Sequence, residues 1–164
     1  MRRILFFAFA VVVAMLISSE LSLSLPLFGV GPDLVVLVVA SFAIGERPRQ
    51  AAMAGFAAGF FRDMLLTTPA GLSAFAYAIV AYVVAMLGVP RGVGPVVGTF
   101  AGSTFASQLI YGVGAMMLGQ PVHGSDLPRM LLVTTAYNAL VSPLLMPLLR
   151  RVVRVETAPI GSSD

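Results

Sequence analysis

The charges of this chain are confined almost entirely to the ends of six apolar segments, and nothing else in the sequence constrains its fold so strongly. The segments run over about 4–20, 33–44, 50–66, 72–87, 96–118 and 127–149. A membrane-spanning helix needs about 20 mainly apolar residues, and most of these segments approach that length. Only 10% of the 164 residues are charged and 59% are hydrophobic, whereas a soluble domain carries about 25% charged residues. Too few polar side chains remain to coat a water-facing surface, so lipid is the expected solvent. The expected fold is all-α, a polytopic membrane bundle of about six transmembrane helices. Residues 1–154 would form a single transmembrane domain and 155–164 a short cytoplasmic tail.

Breaks between the segments carry turn chemistry. Pro26, Gly29, Gly31 and Pro32 separate the first two, and Gly45 to Arg49 make a tight polar turn before the third. Thr67-Thr68-Pro69-Ala70-Gly71 ends the third, Gly88, Pro90, Gly92, Gly94 and Pro95 follow the fourth, and Gly119 to Asp126 is the most polar connection. The second segment is short on its own. Pro32 suits the first turn of its helix, and Asp33 suits the positive N-terminal end. Pro143 and Pro147 are expected to kink the sixth helix. Arg2 and Arg3 ahead of an apolar run have the shape of a signal peptide. No clear small-residue cleavage site follows, and five more apolar segments do, so the run reads as an uncleaved first helix.

Orientation follows from the arginines, which are the only basic residues apart from one histidine. With the N-terminus cytoplasmic, Arg2, Arg3, Arg47, Arg49, Arg91, Arg150, Arg151 and Arg154 lie inside, eight of the ten, and only Arg62 and Arg129 lie toward the outside. That matches the positive-inside bias and implies a multi-pass protein with both termini cytoplasmic. The arginines flank apolar segments and form no single basic patch, so the net charge of +3 does not indicate nucleic acid.

Three polar features lie within the segments. In the third, Gly55, Gly59 and Asp63 recur every four residues and share a helix face, which Ala51 extends. Small residues at that spacing let another helix approach closely. Arg62 stands beside Asp63, and two readings are open. Arg62 snorkels to headgroups while Asp63 bonds Thr67, Thr68 or the exposed amides of the break; or the pair contacts a partner or substrate, as intramembrane charges commonly do. In the sixth segment, Thr134, Asn138 and Ser142 line one face, with Tyr137 alongside, and a hydrogen bond between helices of this chain is the favoured role. In the fifth, Gly94, Gly98 and Gly102 make a second small stripe, followed by Ser103, Thr104, Ser107, Gln108 and Tyr111. Tight helix packing is its simplest use.

Enzyme chemistry has little to stand on. The single histidine, His123, has only Asp126 nearby in sequence, which makes neither a metal site nor a triad. Cysteine is absent, which removes thiolate catalysis and cysteine-based metal sites. The glycines recur along helices and form no phosphate-binding loop. No catalytic, cofactor or metal residue is assigned.

Several residues together resemble the MreD family of rod-shape-determining membrane proteins. Pro32-Asp33-Leu34-Val35-Val36-Leu37 is similar to that family's Pro-Asp-Leu start of its second helix. Gly55-Phe56-x-x-Gly59-x-x-x-Asp63, followed by Thr68-Pro69-Ala70-Gly71-Leu72-Ser73-Ala74 and Tyr77, is similar to its third helix, the break, and the start of its fourth. Arg62, ahead of the aspartate, departs from the pattern. The resemblance covers the whole chain in layout and about residues 32–82 in motif. It implies a non-catalytic component of the machinery for lateral cell-wall synthesis in the bacterial cytoplasmic membrane. The implied partners are an MreC-like protein, the MreB filament, a RodA-like glycosyltransferase and a class B penicillin-binding protein. Helix-to-helix docking through Gly55/Gly59 and Gly98/Gly102 would be the mechanism. The resemblance also implies a fold like that of the substrate-binding S components of energy-coupling-factor transporters. A vitamin-type binding subunit is therefore the rival, with Arg62, Asp63, Gln108 and Asn138 lining an outward pocket.

Overall fold

The computed structural model describes residues 2–24, 31–65, 71–88, 92–120 and 126–154, with backbone alone at 2–3, 21–24, 93, 126 and 144–154. The described residues form six α-helices: α1 (Arg2–Ser24), α2 (Leu34–Ala43), α3 (Pro48–Leu65), α4 (Leu72–Leu87), α5 (Val93–Met117) and α6 (Asp126–Arg154). The all-α expectation holds. The fourth segment coincides with α4, and the others shift by a few residues at their ends. Pro69, with the rest of the break at 66–70, lies outside the described residues, as do His123 and the tail at 155–164.

The shortest helix is the centre of the molecule. α2 is apolar on every side, and a helix with no polar face must be surrounded. Val35, Val36, Leu37, Val39, Ala40 and Ala43 are all buried, and α2 touches each of the other five helices. Phe7, Val11 and Ala14, spaced at helical repeats, bring α1 against it, and the Phe7 and Phe42 rings lie 4.4 Å apart. Pro32 is not in the first turn of α2 as expected. Asp33 takes the N-cap with φ −101° and accepts a hydrogen bond from the Val36 amide, which leaves Pro32 one residue outside. α6 is helical from Asp126 to Arg154 with no break at Pro143 or Pro147.

The most extensive helix pair is α3 with α4, and glycine makes it possible. A Cβ on Gly55 would meet the Tyr77 carbonyl and lie 2.9 Å from Ala81 Cβ. On Gly59 it would lie 2.5 Å from Ser73 C and 2.6 Å from Ala74 Cα. The backbones touch where those side chains are missing. Gly71 opens α4 at φ +98°, a left-handed conformation that suits glycine.

One expectation is not met at the level of single helices. No helix is long and apolar enough, among the described residues, to cross a membrane. α2 has 10 residues and α4 has 16. α3 has 18, but Arg49, Gln50, Arg62 and Asp63 dilute it. α5 has the length, yet interleaves glycines with Ser103, Thr104, Ser107 and Gln108.

Candidate functional site

The start of α2 gathers side chains from every helix. Asp33 is its focus, 4% exposed. Its carboxylate accepts hydrogen bonds from the Tyr77 hydroxyl (2.8 Å) on α4, Arg62 Nη1 (3.0 Å) on α3 and Gln108 Nε2 (3.3 Å) on α5. The Arg62 nitrogen also donates to the Tyr77 hydroxyl, and its guanidinium carbon lies 5.6 Å from the centre of that ring. Asn138 Nδ2, on α6, donates to the Asp33 backbone carbonyl (2.8 Å) and to Thr104 Oγ1 (2.9 Å) on α5. The Leu34 amide donates to Ser18 Oγ (3.2 Å) on α1. Six helices thus meet at one turn.

Local structure explains why a carboxylate stands there. An N-cap carboxylate satisfies amides that the first turn leaves open, and it is favoured by the positive end of the helix. Buried, it still needs a counter-charge and further donors, which Arg62, Tyr77 and Gln108 supply. A buried ion pair adds little net stability compared with an apolar pair of the same size. Removing one partner alone costs about 3–5 kcal/mol, because it strands the other. The cluster therefore acts as a geometric lock.

Asp63 points elsewhere. Its Oδ2 accepts from the amides of Gly71 (2.9 Å), Ser73 (3.0 Å) and Ala74 (3.3 Å), so it caps the N-terminus of α4 from the adjacent helix. Of the two readings open for Arg62 and Asp63, the exposed amides of the break hold the aspartate. The arginine reaches Asp33, 29 residues away in sequence.

The remaining expected residues divide. Gly55 and Gly59 pack on α4. Among the described residues nothing packs on Gly98 or Gly102: an added Cβ at either, or at Gly94, would meet no described atom within 4 Å, and all three are exposed. The physical reason is the opposite face of α5. Ser103, Thr104, Ser107 and Gln108 are buried, and their need for polar surroundings turns that face inward and the glycines outward. On α6, Thr134, Asn138 and Ser142 are buried, and Asn138 bonds to α5 and to the start of α2. Thr134 Oγ1, Ser103 Oγ and Asn138 Oδ1 find no partner among the described residues. Gly71 is the left-handed residue before α4, and Pro32 is buried beside Asp33.

Sequence reasoning missed Ser18, and it named Thr104 and Tyr77 without giving either a place in the lock. It also treated Asp33 only as a helix-start residue. A usable signal was present. A short turn joins α2 to α3, so the start of α2 and the end of α3 fall at the same level of a helical hairpin and Asp33 and Arg62 were placed to meet. Arg62, Gln108 and Asn138 surround Asp33, and Asp63 caps α4, so the rival reading of these four as a pocket lining finds no support. A groove of about 850 Å³ between α1 and α3 is lined by none of them.

No curated protein and no solved structure matches this chain. A family model does, under the description rod shape-determining protein MreD, and it covers residues 1–155. That span takes in all six helices and the whole lock around Asp33, and the chain belongs to the MreD family.

Proposed function

We propose that this rod-shape-determining protein is a non-catalytic membrane subunit of the bacterial cell-elongation machinery, which directs lateral peptidoglycan synthesis. It maintains rod shape by docking partner proteins within the cytoplasmic membrane: an MreC-like protein, the MreB filament, a RodA-like glycosyltransferase and a class B penicillin-binding protein. It is multi-pass with both termini cytoplasmic, 1–154 being the membrane domain and 155–164 a cytoplasmic tail.

The observation that carries this reading is the inverted distribution of polarity. Large apolar side chains face outward along the helices, among them Phe9 at 67% exposed, Met53 at 64%, Phe75 at 58% and Leu140 at 76%. Asp33, Gln108, Thr134, Asn138 and Ser142 face inward. Such a surface exceeds what a monomer in water presents as isolated patches, and it suits lipid. The polar residues that lower the hydropathy of α5 are turned into the bundle, so lipid does not meet them. A helix too polar to cross alone is thereby accommodated among neighbours.

Docking is assigned to the outer face of α5, where Gly94, Gly98 and Gly102 are exposed and uncovered among the described residues, so that a partner helix can approach the backbone closely. The test is the double substitution Gly98→Leu/Gly102→Leu in the full chain. Membrane-fraction abundance should be unchanged, co-purification of the MreC-like protein should fall, and cells should round. Normal shape and normal co-purification would refute this assignment. Release of the wild-type chain by alkaline carbonate would refute the membrane reading itself.

A further inference from the structure

The groove between α1 and α3 has features that the docking role does not use. Its walls are apolar, formed by Phe7 and Val11 of α1, Phe42 of α2, and Ala54, Ala58 and Phe61 of α3, and at one end stand Glu46 and Gln50. Along α3 the lining runs from Gln50 to Phe61, about 16 Å at 1.5 Å per residue. The hydrocarbon core of a bilayer is about 30 Å thick, so the groove is as long as one leaflet is deep. A crossing partner helix would need twice that length. An acyl chain entering from one headgroup layer needs only this.

Basic residues stand next to that end of the groove. Arg47 and Arg49 lie in sequence between Glu46 and Gln50, which line it, and both are exposed. Glu46 is already engaged within the protein. α3 carries no acidic residue in its first turn, and Arg47, whose carbonyl accepts the Ala51 amide, supplies no side-chain acceptor at that end. Its dipole therefore adds to the positive charge. Basic residues beside an apolar crevice on the cytoplasmic side recognise anionic headgroups.

We propose that the α1/α3 groove binds one anionic phospholipid of the cytoplasmic leaflet, its phosphate at Arg47 and Arg49 and an acyl chain along Phe7, Ala54 and Phe61. The inference rests on the membrane reading above.

The test uses the full chain purified in neutral detergent and offered phosphatidylglycerol or phosphatidylcholine, with retained lipid counted by native mass spectrometry. Wild type should retain phosphatidylglycerol preferentially. Arg47→Gln and Arg49→Gln should each lower that preference about fivefold, the usual worth of one basic side chain at an anionic membrane surface. Ala57→Phe, at an exposed position in the groove wall, should reduce retention of both lipids while helix content stays constant. Equal retention of the two lipids by wild type overturns the inference, and so does an unchanged preference in Arg47→Gln/Arg49→Gln. Loss of a co-purified membrane protein in Ala57→Phe with lipid retention unchanged overturns it too, assigning the groove to a partner helix. A carbonate wash of the same cells separates the two levels. A chain that resists the wash yet shows no preference sinks the lipid site alone. A chain released by the wash sinks the membrane reading and this inference together.

Discussion

Replacing Gly59 with alanine places one methyl group where the backbone of α4 already lies. The added Cβ would meet the Ser73 carbonyl oxygen and lie 2.5 Å from Ser73 C and 2.6 Å from Ala74 Cα. Carbon atoms in contact prefer about 3.5–4.0 Å, so the two helices must part by about 1 Å. A flexible side chain could swing aside, but a helix backbone cannot. The same movement pulls the amides of Ser73 and Ala74 from Asp63, which accepts them at 3.0 and 3.3 Å. Overpacking costs about 1–3 kcal/mol, and a strained cap adds up to about 1 kcal/mol. Alanine offsets about 1 kcal/mol of this through its better helix propensity. The net expectation is a loss of about 2 kcal/mol. Gly98 supplies the control, because no described atom lies within 4 Å of a Cβ built there. Gly98→Ala keeps the propensity gain without the clash and should be neutral or stabilising by up to about 1 kcal/mol. The assay is thermal loss of helical circular dichroism for each full-length variant in one mild detergent, alongside the level of folded protein in the membrane fraction. A Gly59→Ala protein that melts at or above wild type refutes the close approach of α3 to α4. A Gly98→Ala protein that melts well below wild type refutes the open face on α5.

Two further substitutions probe the polar contacts. Asp63→Ala removes the cap of α4 and should cost about 1–2 kcal/mol; abundance of folded protein should fall, while partner captured per folded molecule stays constant, and the reverse pattern would return Asp63 to a partner contact. Asp33→Ala strands the mostly buried Arg62 and should cost about 3–5 kcal/mol; adding Arg62→Leu should recover part of that in a double-mutant cycle, and simple additivity would mean that the pair is not coupled.

The helices were legible because the breaks are chemically explicit. Gly71 and Gly88 bracket an apolar run that α4 occupies from Leu72 to Leu87. The lock was not, because periodicity shows which residues share a face and not what that face meets. The stripes Gly55/Gly59 and Gly98/Gly102 have the same spacing, yet one is packed against a backbone and the other is open. What separates them is the far side of each helix. α5 has Ser103, Thr104, Ser107 and Gln108 to bury, and an inward polar face forces its glycines out. α3 has large apolar side chains such as Met53, Phe56 and Phe60 on its exposed side, which leaves its glycine face for α4. Asp63 follows the same logic, since it lies on the glycine face and must find its partners on α4.

A helix of 10 residues is marginal by itself, yet α2 sits at the centre of the bundle, and the lock explains how. Its first amides and the Asp33 carbonyl are bonded by groups from α1, α6 and its own cap, while the Asp33 carboxylate is held by α3, α4 and α5. Each of these bonds requires its helix to be docked already. The turn therefore closes only when the bundle is complete, and damage to any one contact is felt by all six helices. Substitutions at Asp33, Arg62 or Tyr77 should accordingly lower folded abundance and every downstream function together. Among the described residues, none of the lock's bonds involves the glycine face of α5 or the arginines beside the α1/α3 groove, so substitutions there should change one function at a time in a protein that still folds.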